Sequence, residues 1–352
     1  MKIVIISPLW ERTPPRKYGG TERIVYALTE GLVKEGHDVT LFATGDSVTS
    51  AKLMSVYPRS LYTDGVSWSN AYWPSINISK AIEYSRKIKA DIIHSHSQYY
   101  GYVFSPLSPI PMLHTHHGTL KSQSIGKEKQ ATLDYFKKAN YISISRSQRE
   151  PMPYLNWVGN VYNGIDVDSF YFNARKGQYL LWMGRFTPKK GSKEAIIIAN
   201  KTKRKLILAG KIEKNNRNDY NFYKKEIKPL IDNKNICYVG EVSQGKKVQL
   251  YKNALCLLNT IKWDEPFGLI PMEANACGTP VISFAEGALN ETIKNGHNGF
   301  LIKPNNLNGM IKSLKDIDKI DRLTCRKWVE DKFSVSRMVT DYIKVYQKFV
   351  KK

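Results

Sequence analysis

Short runs rich in Ile and Val recur along the chain, separated by stretches whose apolar residues repeat every three or four positions. Residues 2–7 read as a buried strand, 22–35 as a helix with Ile24, Val25, Leu28 and Leu32 on one face, and 38–43 as the next strand. Further strands are predicted at 91–95, 111–115 and 141–145, with helices near 76–89 and 127–139 between them. Then the pattern starts again. Residues 178–183, 205–209, 236–239, 255–259 and 280–284 read as strands, and 193–201, 220–231, 244–254 and 270–277 as the intervening helices. Strands that alternate with helices predict parallel strands joined by crossovers, the α/β class.

Two successive doubly wound units, with a break at Asn163-Gly164-Ile165-Asp166, predict two Rossmann-like domains facing each other across a cleft. Ligands are then expected at the carboxyl ends of the strands. The expected boundaries are 1–165, 166–334 and a closing helix in 335–352. That helix places Val335, Met338, Val339, Tyr342, Val345, Tyr346 and Phe349 on one face, which must be covered by packing back on the first domain.

Composition agrees with this and removes other classes. With 352 residues, 42% hydrophobic and 24% charged, the chain can bury real cores and is long enough to favour two of them. Cys237, Cys256, Cys277 and Cys325 show no Cys-x-x-Cys spacing, which argues against a zinc ribbon or a disulfide scaffold. The apolar start is too short for a signal peptide, and no run reaches 18 apolar residues, so a cytoplasmic protein is expected. The net charge of +23 draws nucleic acid, anionic lipid or phosphorylated substrates. Residues 1–165 hold 19 Lys and Arg against 12 Asp and Glu; residues 166–352 hold 35 against 19, so the second half seeks anions more strongly.

Three segments can carry chemistry. After the first strand comes Pro14-Pro15-Arg16-Lys17-Tyr18-Gly19-Gly20-Thr21-Glu22, where Gly19 and Gly20 let the backbone approach a ligand before a helix begins. It is not Gly-x-Gly-x-x-Gly, which argues against a dinucleotide site; a capping turn without ligand is the plain alternative. In the second half, Gly184-Arg185-Phe186-Thr187-Pro188-Lys189-Lys190-Gly191 presents Arg185 and Lys190 beside a helix start. A guanidinium fork, an ammonium and oriented N–H groups suit a diphosphate, and a solvated basic loop is the plain alternative. The third segment runs from Trp263 through Glu265-Pro266-Phe267-Gly268-Leu269-Ile270-Pro271-Met272-Glu273 to Gly278-Thr279-Pro280. Its prolines and glycines predict a loop and then a helix, with Glu273 near the helix start and both carboxylates converging on one spot with free N–H groups. Carboxylates accept hydrogen bonds from sugar or ribose hydroxyls. Capping and dipole roles for the two glutamates are the alternative.

The pair Glu265 and Glu273, set in Glu-Pro-Phe-Gly-Leu-Ile-Pro-Met-Glu-Ala before Gly-Thr-Pro-Val, resembles the donor-site signature of family-four retaining glycosyltransferases of the GT-B fold. Tyr18-Gly19-Gly20-Thr21-Glu22, Gly36-His37-Asp38-Val39, Asp91-Ile92-Ile93-His94-Ser95-His96, Ser143-Ile144-Ser145-Arg146-Ser147-Gln148, Asn163-Gly164-Ile165-Asp166 and the 184–191 loop match in the same order, so the resemblance covers essentially the whole chain. It implies an N-terminal acceptor domain and a C-terminal nucleotide-sugar donor domain. Arg185 and Lys190 would bind the donor diphosphate, Glu265 the hydroxyls of the transferred sugar and Glu273 the nucleotide ribose. Backbone N–H groups of Phe267, Gly268 and Leu269 would line the sugar and phosphate. Configuration would be retained, by attack of the acceptor hydroxyl on the face from which the diphosphate leaves.

Five of the seven histidines, His94, His96, His114, His116 and His117, crowd into two strand ends. A zinc site is the alternative for this cluster, but no Cys or acidic partner stands at ligand spacing. In Thr115-His116-His117-Gly118, His117 takes the place of the family's functional histidine, contacting the donor sugar, with His116 as the one-residue alternative; His37 and His297 read as structural. Asp166-Val167-Asp168 resembles Asp-x-Asp metal ligands, yet it follows Asn163-Gly164-Ile165, where the family keeps an Asp for structural reasons. No metal and no other cofactor is expected beyond the nucleoside diphosphate sugar, a UDP- or GDP-sugar, as co-substrate. The acceptor would be a hydroxyl of a glycan, a lipid-linked molecule or a small molecule.

Two rivals stand beside this reading. A sugar phosphorylase on the same architecture lacks a recognisable pyridoxal lysine context. A non-catalytic binder of anionic lipid or nucleic acid has only the charge in its favour, and no nucleic-acid recognition motif is present. The basic excess beyond the donor site fits weak, peripheral contact with the inner face of the membrane through Pro14-Pro15-Arg16-Lys17-Tyr18.

Overall fold

The structure, a computed structural model, describes residues 1–16 and 19–350; Lys17 and Tyr18, part of the expected membrane-facing segment and glycine loop, lie outside the described residues. The chain divides into two compact units, one of Met1–Gly164 with Val335–Lys352 and one of Ile165–Ser334. Each is built on one parallel sheet.

The first sheet has seven strands: β1 (Lys2–Ile6), β2 (Asp38–Phe42), β3 (Lys52–Met54), β4 (Ile92–Ser95), β5 (Met112–Thr115), β6 (Asn140–Ser143) and β7 (Trp157–Asn160), in the order β3-β2-β1-β4-β5-β6-β7. The second has six: β8 (Tyr179–Met183), β9 (Leu206–Ala209), β10 (Ile236–Tyr238), β11 (Ala254–Asn259), β12 (Val281–Phe284) and β13 (Gly299–Ile302), in the order β10-β9-β8-β11-β12-β13. Strand order reverses between β1 and β4 in one sheet and between β8 and β11 in the other. At such a point the connections leave in opposite directions and open a crevice at the carboxyl ends, so the loops after these four strands are where each unit can hold a ligand. Ile3, Ile5, Ile93, Leu180 and Leu257 are essentially inaccessible, as expected of strands covered by helices on both faces.

The closing helix, Val335–Tyr346, belongs to the first unit. It packs against the helix Gly20–Lys34, where a Cβ on Gly31 would fall 2.3 Å from Val339 Cγ2, so only glycine allows the approach. Its buried Tyr346 hydroxyl lies 2.7 Å from His94 Nδ1, while Thr115 Oγ1 bridges His94 Nε2 at 2.8 Å and the Tyr342 hydroxyl at 3.0 Å. Tyr346→Phe removes one partner of a fully buried imidazole nitrogen and is expected to cost about 1–3 kcal/mol, read as a lower urea midpoint of the first unit at unchanged slope. An unchanged midpoint would show that this contact does not hold the helix.

Among the described residues no helix is long and apolar enough to cross a membrane.

Candidate functional site

The second unit gathers charge around its switch point. β8 leads into Arg185, and the chain then passes through a short turn, Pro188–Lys190, to Gly191 and the helix Ser192–Thr202. This loop is sewn to the one after β11. Thr260 Oγ1 donates to the Gly191 carbonyl at 2.7 Å, the Lys262 N–H donates to the Lys189 carbonyl at 2.8 Å, and Trp182 Nε1 donates to the Lys190 carbonyl at 3.0 Å. Gly191 has φ +73°, and a Cβ there would lie 1.9 Å from the Thr260 carbonyl oxygen, so a side chain at this position would push the two loops apart.

The sewing brings Lys190 to Glu265. Lys190 Nζ is 3.3 Å from Glu265 Oε2 and 4.6 Å from the centre of the Trp263 ring, and Trp263 Nε1 donates to the same carboxylate oxygen at 2.9 Å. Both charged side chains are mostly covered, 19% and 15% exposed, so the pair is shielded from the full screening of water. An ammonium has three N–H donors, and Glu265 takes one of them, which leaves Lys190 able to bind a second anion. Arg185, 38% exposed, lies 3.9 Å from Glu213 Oε1, and Lys211 lies 3.5 Å from the same oxygen.

Glu273 stands apart from this group. Its helix, Leu269–Ala276, starts after Gly268 in a left-handed conformation (φ 93°, ψ 58°), and Glu273 sits in the second turn rather than at the helix start that its spacing suggested. The carboxylate is almost wholly buried. Lys247 Nζ lies 2.7 Å from Oε1, and the Tyr251 hydroxyl donates to Oε2 at 2.9 Å; both partners come from the helix Gln244–Lys252. The two glutamates are therefore engaged by separate partner sets. Between them the Phe267 side chain is buried against Phe333, 5.7 Å between ring centres, so this residue can offer a ligand only its backbone. Gly268 supplies no side-chain cap, and the first N–H groups of the helix, that of Leu269 included, have no partner within it.

Sequence reasoning missed Lys247, Tyr251, Trp263, Lys211 and Glu213. Three of these had a signal. Lys247 and Tyr251 are four residues apart on a helix and so share a face, and Trp263 stands two residues before Glu265.

Gly19, Gly20 and His117 belong to the first unit. Gly19 (φ +146°) precedes the helix Gly20–Lys34. Glu22, in the first turn of that helix, is buried, and desolvation, with a smaller push from Glu11, raises its carboxyl to about 7. His96, just after β4, and His117, just after β5, meet with Nδ1 and Nε2 2.8 Å apart. Burial holds the His117 imidazole down to about 3 and His96 well below the usual histidine range. His116, the one-residue alternative, is buried; its Nδ1 meets the Tyr102 hydroxyl at 2.7 Å, and its carbonyl accepts from Gln148 Nε2 at 2.9 Å. His117 is only partly covered. Asp166 accepts a hydrogen bond from Ser169 Oγ within a turn, and among the described residues no three His, Cys, Asp or Glu side chains are grouped to hold a metal ion.

Known proteins match nearly the whole chain. Residues 168–331 match the family model of glycosyl transferases group 1, and residues 18–169 match that of glycosyltransferase family 4. An uncharacterized glycosyltransferase of Methanocaldococcus jannaschii is 25% identical over 99% of this chain and 98% of its own. Among solved structures, sucrose-phosphate synthase from Thermosynechococcus elongatus superposes with a TM-score of 0.78 at 20% identity, covering 99% of this chain and 98% of that one. HepE from Anabaena, in complex with UDP-glucose, gives 0.76 at 16% identity over 99% and 100%. The fold shared with these structures is GT-B.

Proposed function

Because the chain belongs to the group 1, family 4 glycosyltransferases and so transfers a sugar from a nucleotide-sugar donor, we propose that the second unit holds a UDP- or GDP-sugar and that the enzyme retains anomeric configuration. The observation that carries this reading is the placing of Arg185, Lys190 and Glu265 on the two loops flanking the β8–β11 switch point. Lys190 and Arg185 bind the diphosphate, and Glu265, oriented by Lys190 and Trp263, accepts hydrogen bonds from hydroxyls of the transferred sugar. Glu273, held by Lys247 and Tyr251, takes the ribose hydroxyls. The N–H groups from Phe267 to Leu269 line the sugar and phosphate. His117 contacts a sugar oxygen. The Anabaena relative bound to UDP-glucose supports a nucleotide sugar as donor.

In the reaction, the acceptor hydroxyl oxygen forms a bond to the anomeric carbon as the bond from that carbon to the diphosphate oxygen breaks. The acceptor proton passes to the leaving phosphate. Negative charge grows on the diphosphate, so fixed cations and N–H groups there lower the barrier most. Those cations take the part a divalent ion plays elsewhere, and transfer in the presence of chelator is the expected result. The acceptor is a hydroxyl of a glycan, a lipid-linked molecule or a small molecule, and the basic surface supports weak contact with an anionic membrane.

Calorimetry with UDP and with UDP-glucose tests the assignment. Glu273→Gln is expected to weaken both ligands about tenfold, because the ribose belongs to both and a lost hydrogen bond to a charged group is worth roughly 1.5 kcal/mol or more. Glu265→Gln is expected to weaken UDP-glucose alone, since losing its charge leaves Lys190 no less able to hold the diphosphate. Equal losses in the two variants would contradict the division of roles, and wild-type protein that binds neither ligand, nor their guanosine counterparts, would overturn the donor site.

A further inference from the structure

The contact between His96 and His117 contains more information than its length. Two neutral imidazoles 2.8 Å apart share one proton, so one ring donates and the other accepts. If His117 donates from Nε2, the proton of His96 must sit on its own Nε2. That atom is buried and meets no acceptor among the described residues. The neighbouring His94, with ring centres 4.1 Å apart, cannot serve, because the Tyr346 hydroxyl and Thr115 engage both of its nitrogens. If His96 instead donates from Nδ1, what remains at its Nε2 is a bare lone pair. Orphaned buried N–H groups are the rarer and more costly kind. At His114 both ring nitrogens are buried without a partner, so either tautomer strands an N–H there; at His96 one choice avoids it.

We propose that His96 is a positioning residue that donates from Nδ1 to His117 Nε2 and thereby fixes the proton of His117 on Nδ1. Among the described residues His117 Nδ1 has no hydrogen-bond partner, and the residue is only partly covered. The ring therefore presents a ligand with an N–H donor and not with a lone pair. It recognises an oxygen acceptor, and it cannot take the acceptor substrate's proton as a general base. Burial, which keeps both rings neutral, preserves this arrangement across the physiological range. Naming the oxygen as one on the transferred sugar rests on the glycosyl-transfer reading above; the tautomer does not.

The test uses the full chain labelled with 15N-histidine at pH 8 and a long-range 1H–15N spectrum, which shows which ring nitrogen of His117 is bare. The expected bare atom is Nε2. His96→Asn, whose amide still donates from nearly the same place, is expected to keep that state. His96→Asp, whose carboxylate only accepts, is expected to move the proton to Nε2 and to weaken UDP-glucose about fivefold to tenfold relative to UDP, with His96→Asn within about twofold of wild type. A wild-type His117 protonated on Nε2 would overturn the proposal outright, even if neither variant folds, as would an unchanged tautomer in a folded His96→Asp. A tautomer that switches without moving UDP-glucose affinity would overturn the ligand-facing role. Failure of the wild type to bind either nucleotide would remove the sugar together with the reading that supplied it, while the spectrum alone decides the tautomer.

Discussion

Lys190→Ala is expected to lower sugar transfer by about 100-fold to 1,000-fold while leaving the fold intact. Two losses combine. A charge-assisted hydrogen bond to the diphosphate is worth roughly 1.5–3 kcal/mol, and Glu265 loses one of the two groups that aim its carboxylate, the other being Trp263 Nε1. Misplacing a sugar-binding carboxylate adds a further factor of about ten or more, because orientation sets much of the rate. The backbone at 190 does not depend on the side chain. Its carbonyl is held by Trp182 Nε1 and the next residue by Thr260, so thermal stability should change little. Lys190→Arg restores the charge but not the point-like ammonium over Trp263 and should recover only part of the rate. Donor consumption under initial-rate conditions reads the effect, and the double variant with Glu265→Gln reads the coupling. A single variant within threefold of wild type, or losses that simply multiply in the double, would show that Lys190 and Glu265 do not act as one unit.

What the sequence allowed to be read follows from burial. Strands enclosed on both faces, such as β1, β4, β8 and β12, are apolar at most positions, with Lys2, His94, Ser95 and Ser283 as exceptions, and so stand out as runs. β3, β7 and β13 were missed because they lie at sheet edges and are only partly covered, and Lys52 or Asn160 is tolerated there. The helix Tyr99–Phe104 is shorter than two turns, too short for a period to show. In the expected helix 220–231 the turns widen at Tyr223–Ile227 and end in a tight turn containing Pro229, a residue that cannot donate to a regular helix. At the site, Glu265 and Lys190 were legible because local glycine and proline punctuation marks their loops. That they touch was not, since 75 residues separate them and only the β8–β11 neighbourhood joins them. Lys247 and Tyr251 share a helix face, but that they meet Glu273, 26 and 22 residues further on, is set by the packing of two helices and not by local sequence.

Acidification from pH 7.5 to 5 is expected to unfold the first unit while the second keeps its structure. His94, His96, His114, His116 and His117 all lie in the first unit, and burial is the largest cause that depresses each of them, His114 to about 3 and His116 to about 4. The unfolded chain binds protons at the ordinary histidine value near 6.5, so the folded state loses stability as pH falls below that value and goes on losing it down to the folded pKa. At pH 5 each imidazole whose folded pKa is well below 5 has forfeited about 2 kcal/mol, however far below it lies. His114, His116 and His117 together forfeit about 6 kcal/mol, the partly covered His117 contributing least, and His94 and His96 push in the same direction. Glu22 works in the opposite direction. Its folded value, about 7, is raised, so the unit regains about 2–3 kcal/mol as that carboxyl takes up its proton. Those three alone prevail by roughly 3–4 kcal/mol, and His94 and His96 add to this loss, against a whole-domain stability of about 5–15 kcal/mol. The second unit holds only His297, and its depressed carboxylates, Glu226, Asp232, Asp316 and Asp321, release stability only below the usual carboxylate range. Hydrogen exchange followed by peptide mapping at pH 7.5, 6 and 5, with exchange times corrected for the intrinsic pH effect, separates the units. Loss of protection confined to residues 1–164 and to the closing helix 335–346 is the expected pattern. Protection of β4 and β5 that persists at pH 5 would mean that the imidazoles find acceptors for their added protons, and the depressed values assigned to them would be wrong.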